Sequence, residues 1–122
     1  MPSFGPIIPV LRIFDQHKAR EFYLDFLGCL PEFEHRFGDN FPLYMGVSLG
    51  NCRLHLSEHH GDACPGAAIR VGVDGLDDFV CGLQSKHYRY AKPANPEKKP
   101  WGTRELTLTD PFGNRLTFFD ND

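Results

Sequence analysis

Apolar and polar residues follow the same order of spacings twice along the chain. Each half begins with an apolar, largely β-branched run, Ile7 to Phe14 in the first half and Ala67 to Val73 in the second, and continues with a segment of helical periodicity. This pattern predicts a strand followed by an amphipathic helix. Extended segments bounded by turn residues come next in each half. The sequence therefore predicts two β-α-β-β-β units about 60 residues apart, which are similar in element order more than in residue identity.

The first unit carries clear boundary signals. Asp15 is suited to cap a helix N-terminus, and Gly28 supplies the left-handed conformation that commonly ends a helix. The three later strands of the unit are predicted at residues 32–37, 43–49 and 52–57. In the last of these strands polar and apolar residues alternate, which puts Leu54 and Leu56 on a core face and His55 on the opposite face.

The second unit repeats this order. A helix is predicted from Leu76 to His87, after an acidic cap at Asp74-Gly75. Its extended segments are predicted at residues 88–91, 103–109 and 114–119. Residues 59–66 are interpreted as a linker between the units, and residues 95–100, with prolines and charges, as a loop.

The two units are expected to form one α+β domain. A chain of 122 residues, of which 41% are hydrophobic, can supply one core but is too short for two independently cored domains. Duplicated halves with mainly antiparallel strands and two helices suggest curved mixed sheets around a shared cleft. The single domain is expected to span residues 1–122, with modules at residues 4–58 and 67–120.

Charge and cysteine content disfavour several classes of function. The net charge is -3, and the compact basic run Lys98-Lys99 is too short to follow a phosphate backbone, so nucleic acid is not an expected partner. No apolar run approaches the roughly 20 residues of a membrane span, and the residues after Met1 do not resemble a secretory signal, so a cytoplasmic protein is expected. The 4 cysteines contain no C-x-x-C pair and are expected to be reduced.

The C-terminal part of the chain carries the most specific motif. Residues 100–118 read PWGTRELTLTDPFGNRLTF. They resemble the P-W-G-x-R-E-x-x-L-x-D-P-x-G-N-x-x-x-F ending of the bleomycin resistance proteins, which belong to the vicinal oxygen chelate superfamily. Shorter motifs at residues 9–11, 21–28 and 73–77 resemble the same family in the same order. The resemblance covers nearly the whole chain and implies the glyoxalase/bleomycin resistance fold, in which residues 110–114 have the composition of a structural turn.

The resemblance also implies which positions would bind a metal. Metal-dependent relatives such as glyoxalase I are similar in architecture and place His, Glu or Gln ligands on the first and last strands of each half. The corresponding positions here are Ile8, His55, Ala68 and Thr117, of which only His55 could bind a metal. Because a divalent site needs three or more converging ligands, no metal and no cofactor are expected.

Members of the resistance family sequester a flat, cationic glycopeptide antibiotic in two clefts at the interface of a homodimer. Aromatic rings hold the planar part of the drug, and carboxylates hold its positive charge. The residues expected in such a cleft are Trp101, Tyr44, Phe37, His55, Arg70 and Glu105. Two interpretations of Trp101 remain open, ligand stacking and plugging of the core. For Phe37 and its neighbours Phe33 and Phe41, the alternative is a place in the core.

The arginines of the predicted cleft depart from the family pattern. Arg70 stands where similar resistance proteins have a tryptophan, and Arg12, Arg53 and Arg115 would add positive charge to the inward faces. A basic cleft would repel a cationic drug and favour an anionic or carbonyl-rich ligand. The resemblance therefore specifies the fold better than the ligand.

Two functions remain open at this stage. The first is a metal-free protein that sequesters bleomycin or another planar small molecule. The second is an enzyme of the superfamily, a lyase, isomerase or dioxygenase, that uses a metal or acid–base catalysis through His55 and Glu105. A homodimer is expected in either case. Since Pro9 cannot donate a ladder hydrogen bond, its strand is expected at an edge or a crossover from which residues 1–8 reach the partner subunit.

Overall fold

The computed structural model describes residues 1–121. In this part of the chain the elements are, in order, β1 Val10–Arg12, α1 Gln16–Arg20 with a π-helical continuation Glu21–Phe26, β2 Leu30–His35, β3 Tyr44–Leu49, β4 Cys52–Ser57, β5 Ala68–Gly72, α2 Leu76–Ser85, β6 Glu97–Lys98, β7 Thr103–Thr109 and β8 Arg115–Asn121. None of the described helices combines the length and the apolar character that a membrane span requires. All four cysteines are free thiols.

The two halves form separate four-stranded sheets of the same topology. The strand order is β1-β4-β3-β2 in the first sheet and β5-β8-β7-β6 in the second. In each sheet the first strand pairs in parallel with the last, and the other pairs are antiparallel. The predicted α+β fold of two tandem β-α-β-β-β modules is therefore confirmed. His55 and Thr117 occupy equivalent positions, since His55 pairs with Val10 of β1 and Thr117 pairs with Arg70 of β5.

Each sheet has a core face, whose side chains are buried, and an open face on its other side. On β4 and β8 the core face carries Leu54, Leu56, Leu116 and Phe118, all of them buried. Alternation along the strands puts the intervening side chains on the open face. The open face of the first sheet includes Phe33, Tyr44, Gly46, Arg53 and His55, and that of the second sheet includes Arg70, Glu105, Thr107, Thr109, Arg115, Thr117 and Phe119.

Several strands differ from the prediction. β2 spans Leu30–His35 instead of residues 32–37. β1 begins only at Val10, because Pro9 cannot donate to a ladder and the residues before it lie exposed. Residues 88–91 form no strand, since the Tyr88 ring instead stacks on Phe26 with centroids 4.8 Å apart. The edge strand of the second sheet is β6, which lies within the segment predicted to be a loop and pairs with β7.

The first helix has the predicted cap and an unpredicted π-helical end. The Asp15 carboxylate accepts a hydrogen bond of 2.9 Å from a backbone N–H group in the first turn. The wider π-helical turn holds Phe22, Tyr23 and Phe26 together in the core, with the first two ring centroids 4.9 Å apart. The second helix begins at Leu76 as predicted and ends at Ser85, two residues before the predicted end. The predicted acidic cap is absent, because Gly75 is the N-cap and makes no side-chain hydrogen bond.

The turn between β7 and β8 connects the two modules. The buried carboxylate of Asp110 accepts hydrogen bonds from the backbone N–H groups of Phe112 and Asn114 at 2.9 and 2.8 Å, from the Asn114 amide at 2.8 Å and from the Tyr23 hydroxyl at 2.6 Å. Asn114 Nδ2 also donates to the backbone carbonyl of Arg12 at 2.9 Å. Burial, reinforced by Asp110, raises the pKa of Tyr23, so its hydroxyl remains a donor. The turn therefore has the structural role that its composition predicts.

Candidate ligand-binding site

Glu105 is the centre of a polar cluster on the open face of the second sheet. The residue is 7% exposed. Its carboxylate accepts two hydrogen bonds from Arg70 at 2.7 and 3.2 Å, one from the Thr103 hydroxyl at 2.6 Å and one from the Trp101 indole N–H at 2.9 Å. These donors, Arg70 foremost, lower the pKa of Glu105 to about 2. Glu105 is therefore a fully bonded anion at neutral pH.

Trp101 stands at the tip of the hairpin between β6 and β7. Pro100 precedes it, and Gly102 follows in the left-handed conformation with a φ of 92°, which a hairpin of this length favours. Trp101 is 65% exposed, so the interpretation that it plugs the core is wrong. Because its indole N–H is bound to Glu105, the exposed ring is held in one orientation.

The arginines do not give the open faces the strong positive charge that the sequence suggests. Both terminal nitrogens of Arg70 bond to Glu105, and its guanidinium lies 4.8 Å from the centre of the Phe119 ring. Arg53 pairs with a glutamate of β2 at 3.4 Å, and Arg12 donates to a backbone carbonyl. The expectation of free charge is wrong for Arg70 and Arg53, because each pairs with a carboxylate. Arg12 keeps its positive charge, since its partner is a neutral carbonyl.

Aromatic and imidazole rings cover the open face of the first sheet. Phe33 lies over Gly46, where the Cβ atom of any other residue would overlap the ring. Phe33 is stacked on Tyr44 with ring centroids 6.1 Å apart and meets His55 edge-on at 5.2 Å. The Tyr44 hydroxyl and His55 Nδ1 share a hydrogen bond of 2.7 Å. These three rings are named the Phe33 platform.

A second group of rings lies beside the Phe33 platform. Phe37 contacts His35 and His59 edge to face, with centroid distances of 4.5 and 5.6 Å. These three residues, Asp62 and two rings of the platform line a cavity of about 410 Å³. Phe37 is 72% exposed, and Phe33 and Phe41 are 42% and 53% exposed. The alternative that these phenylalanines belong to the core is therefore wrong.

The six residues expected in the cleft lie in two groups on different sheets. Tyr44, Phe37 and His55 lie on or beside the first sheet, whereas Arg70, Trp101 and Glu105 lie on or beside the second. Within residues 1–121, no hydrogen bond or ring contact joins the two groups. A cavity of about 980 Å³ between the sheets has only Arg70 of the six in its wall. That wall also includes residues 5–9, so the cavity depends on where this exposed segment lies.

Some members of these groups were missed by the sequence analysis. Thr103 lies two residues before Glu105 on the same strand face, so the alternation of β7 could have identified it. Gly46 and His35 could not be found in this way. Their contacts depend on the pairing of β2 with β3, whose register shifts next to Phe33.

A family model described as glyoxalase superfamily protein matches residues 2–122. The chain belongs to the glyoxalase superfamily. No curated protein sequence matches it significantly.

Solved structures with this superfamily fold include proteins that bind antibiotics. An antibiotic-binding protein from a Streptomyces species is 21% identical, with 100% of this chain and 99% of that chain covered and a TM-score of 0.78. A bleomycin-binding protein in complex with bleomycin is 23% identical, with 98% and 100% covered and a TM-score of 0.75. The bleomycin-binding protein of Streptomyces verticillus, in complex with copper(II)-bleomycin, is 25% identical, with 100% of both chains covered and a TM-score of 0.74. The resemblance to bleomycin resistance proteins is thus confirmed at the level of the fold.

The positions that correspond to metal ligands in metal-dependent members of the glyoxalase superfamily do not fit a metal here. They carry Ile8, His55, Ala68 and Thr117, so a single imidazole is the only suitable donor. His55 also shares its Nδ1 with the Tyr44 hydroxyl. Within residues 1–121, no group of three or more His, Cys, Asp or Glu side chains could hold a metal ion.

Proposed function

We propose that this member of the glyoxalase superfamily binds a planar, drug-like small molecule without a metal and sequesters it in clefts at the interface of a homodimer. The observation that carries the proposal is the state of Trp101, whose ring is 65% exposed yet held by a hydrogen bond to the buried Glu105. A rigid, exposed indole offers a large stacking area at a small cost in entropy. The fold is shared with bleomycin-binding and antibiotic-binding proteins, which supports a drug-like ligand.

A second subunit would bring the two ring groups together. Within one chain, the Phe33 platform and Trp101 lie on different sheets. The segment before β1 leaves Phe4 and Ile7 93% and 91% exposed, and a partner subunit would remove this apolar surface from water. We infer that residues 1–8 contact the partner and that the platform of one subunit faces Trp101 of the other.

Mixing two binding-deficient variants tests this two-chain cleft. In the homodimer of either variant, Phe33→Ala or Trp101→Ala, each of the two clefts lacks one ring. In a mixed dimer, one cleft lacks both rings and the other keeps both, so about half of the wild-type capacity for a planar ligand such as bleomycin is expected to return at wild-type affinity. Calorimetric titration of mixed dimers, isolated through two different affinity tags, measures capacity and affinity together.

A cleft formed within one chain predicts a different result. Each chain of the mixed dimer would then lack one ring, and no high-affinity sites would return. Light scattering at micromolar protein concentration supplies the control for assembly, and a monomer would contradict the dimeric cleft directly.

The surroundings of Glu105 do not favour the enzymatic alternative, in which His55 and Glu105 act as acid and base. The Glu105 carboxylate is held by Arg70, Thr103 and Trp101, and its pKa of about 2 makes it a weak proton acceptor at neutral pH. It also lies on a different sheet from His55.

A metal-dependent enzyme would instead require a bound ion. Elemental analysis of protein purified without chelator is expected to find well below one transition metal per chain, and one zinc, nickel or iron per chain would overturn the metal-free proposal.

A further inference from the structure

Arg115 lies on an inner strand of the second sheet, on the open face and at the end next to the turn between β7 and β8. It is the first residue of β8, which lies between β5 and β7. Its neighbours across these two strands are Ala68 and Thr109, both small and both exposed. The next position along β8 on the same face is Thr117, whose hydroxyl lies 2.8 Å from that of Thr107. The residues that neighbour Arg115 on this face are therefore small, and Thr109 and Thr117 among them carry hydroxyl groups.

No side chain among the described residues neutralises the charge of Arg115. The side chain is exposed and makes no hydrogen bond, ion pair or ring contact with any residue in the described range 1–121. Arg53, at the equivalent position of β4, pairs with Glu32 at 3.4 Å. The two modules thus have an arginine at the same place, but only the arginine of the first module has a carboxylate partner.

The other charges of this open face cancel one another. Arg70 is paired with Glu105 at 2.7 Å, and Lys99 is paired with Glu97 at 3.5 Å. Among residues 1–121, Arg115 is left as the unpaired charge of this face, next to threonines whose hydroxyl groups can donate hydrogen bonds. Guanidinium and hydroxyl donors together are suited to a carboxylate, sulfonate or phosphate ester.

We propose that Arg115, with the hydroxyls of Thr109 and Thr117, binds an anionic group of the ligand whose planar part stacks on Trp101. This inference rests on the proposed function and specifies in addition that the ligand carries a negative charge. Along β8, the four residue steps from Arg115 to Phe119, which pairs with Glu105, correspond to about 13 Å. The ligand would therefore carry its aromatic group and its anionic group at opposite ends, and it would differ in charge from a purely cationic drug.

Two matched fluorescent probes test the proposal. The 2,6 isomer of anilinonaphthalene sulfonate carries its anilino ring and its sulfonate at opposite ends of the naphthalene, and N-phenyl-2-naphthylamine is its neutral counterpart without the sulfonate. Wild-type protein is expected to bind the sulfonate more tightly. Arg115→Gln is expected to weaken the sulfonate about tenfold, as for a charge-assisted hydrogen bond, and to leave the neutral probe within about twofold of the wild type. Added salt should weaken the sulfonate in the wild type and have little effect in the variant.

Arg89→Gln is the matched control. Arg89 is also an exposed arginine, but it lies outside both sheets and contacts the Tyr90 ring. This variant is expected to bind both probes as the wild type does. Because Arg115 has no partner within residues 1–121, Arg115→Gln should also keep the wild-type thermal midpoint, and a sulfonate defect in a protein of unchanged stability supports the proposal.

Three results would overturn the anion site. They are an unchanged affinity for the sulfonate in Arg115→Gln, an equal loss for both probes, and an equal loss in Arg89→Gln. Failure of the proposed function gives a different result. The wild-type protein would then bind neither probe, or it would bind them as tightly as Trp101→Ala does. Binding of the neutral probe at Trp101 without preference for the sulfonate would leave the proposed function in place and remove only the anion site.

Discussion

Replacing Asp110 with alanine is expected to lower the free energy of unfolding by roughly 3–5 kcal/mol. The substitution removes the acceptor of four hydrogen bonds and leaves the Tyr23 hydroxyl and the Asn114 backbone N–H buried without a partner. Each buried, unsatisfied polar group costs about 1–3 kcal/mol. Chemical denaturation of the variant and the wild type measures the difference. The free energy of unfolding is expected to depend on denaturant concentration with the same slope in both proteins.

Two further variants separate this network from general sensitivity. Tyr23→Phe removes one donor to Asp110 and leaves the other three, so a loss of about 1–2 kcal/mol is expected. Asp25→Ala changes an exposed aspartate of the same helix and should stay within about 0.5 kcal/mol of the wild type. If Asp110→Ala were as stable as Asp25→Ala, the turn would not be the connection between the modules that its hydrogen bonds indicate.

Trp101→Ala is expected to weaken binding of a planar ligand by roughly 2 kcal/mol, about thirtyfold, and to change stability little. The ring supplies stacking area, but at 65% exposure it contributes little to the core. Trp101→Phe keeps an aromatic ring and loses the hydrogen bond to Glu105, so an intermediate affinity is expected. Calorimetric titration suits these variants because it does not depend on the fluorescence of the residue that is removed.

The matched control for Trp101 is another exposed aromatic residue. Tyr90 is 67% exposed, lies outside both sheets and is expected to leave binding unchanged when it is replaced with alanine. An equal loss in Tyr90→Ala and Trp101→Ala would mean that the ligand has no specific site on the second sheet. A loss of about 3–5 kcal/mol in the stability of Trp101→Ala would instead indicate the role in the core that its exposure contradicts.

Much of the fold could be predicted from the sequence, because strand alternation and helix capping depend on neighbouring residues and are consistent with which side chains are buried. The alternation in β4 and the cap at Asp15 are properties of a few neighbouring residues, and the structure confirms both. β6 could not be predicted from its own sequence, since its two residues form a strand only by pairing with β7. The π-helical turn was missed for a similar reason, because it follows from the packing of Phe22, Tyr23 and Phe26 against the core.

The sequence identified residues of the candidate site but did not predict the contacts between them. The motif around Trp101 identified Glu105 but not the bonds that join these two residues to Arg70. Charge counted along the sequence predicted a basic cleft, whereas pairing removes the charge of Arg70 and Arg53. Such cancellation depends on which side chains meet across strands, and a pattern of spacing does not contain that information.

The most direct test of ligand binding uses the fluorescence of Trp101, the only tryptophan among the 122 residues. Wild-type protein is titrated with bleomycin and, separately, with phenylnaphthylamine as a neutral planar ligand. A ligand that stacks on the indole is expected to change its emission in a saturable way, with about one site per chain if each dimer has two clefts. The account predicts saturation with at least one of these ligands and its loss in Trp101→Ala by calorimetry. Emission that stays unchanged with both ligands, in protein shown to be folded and dimeric, would contradict it.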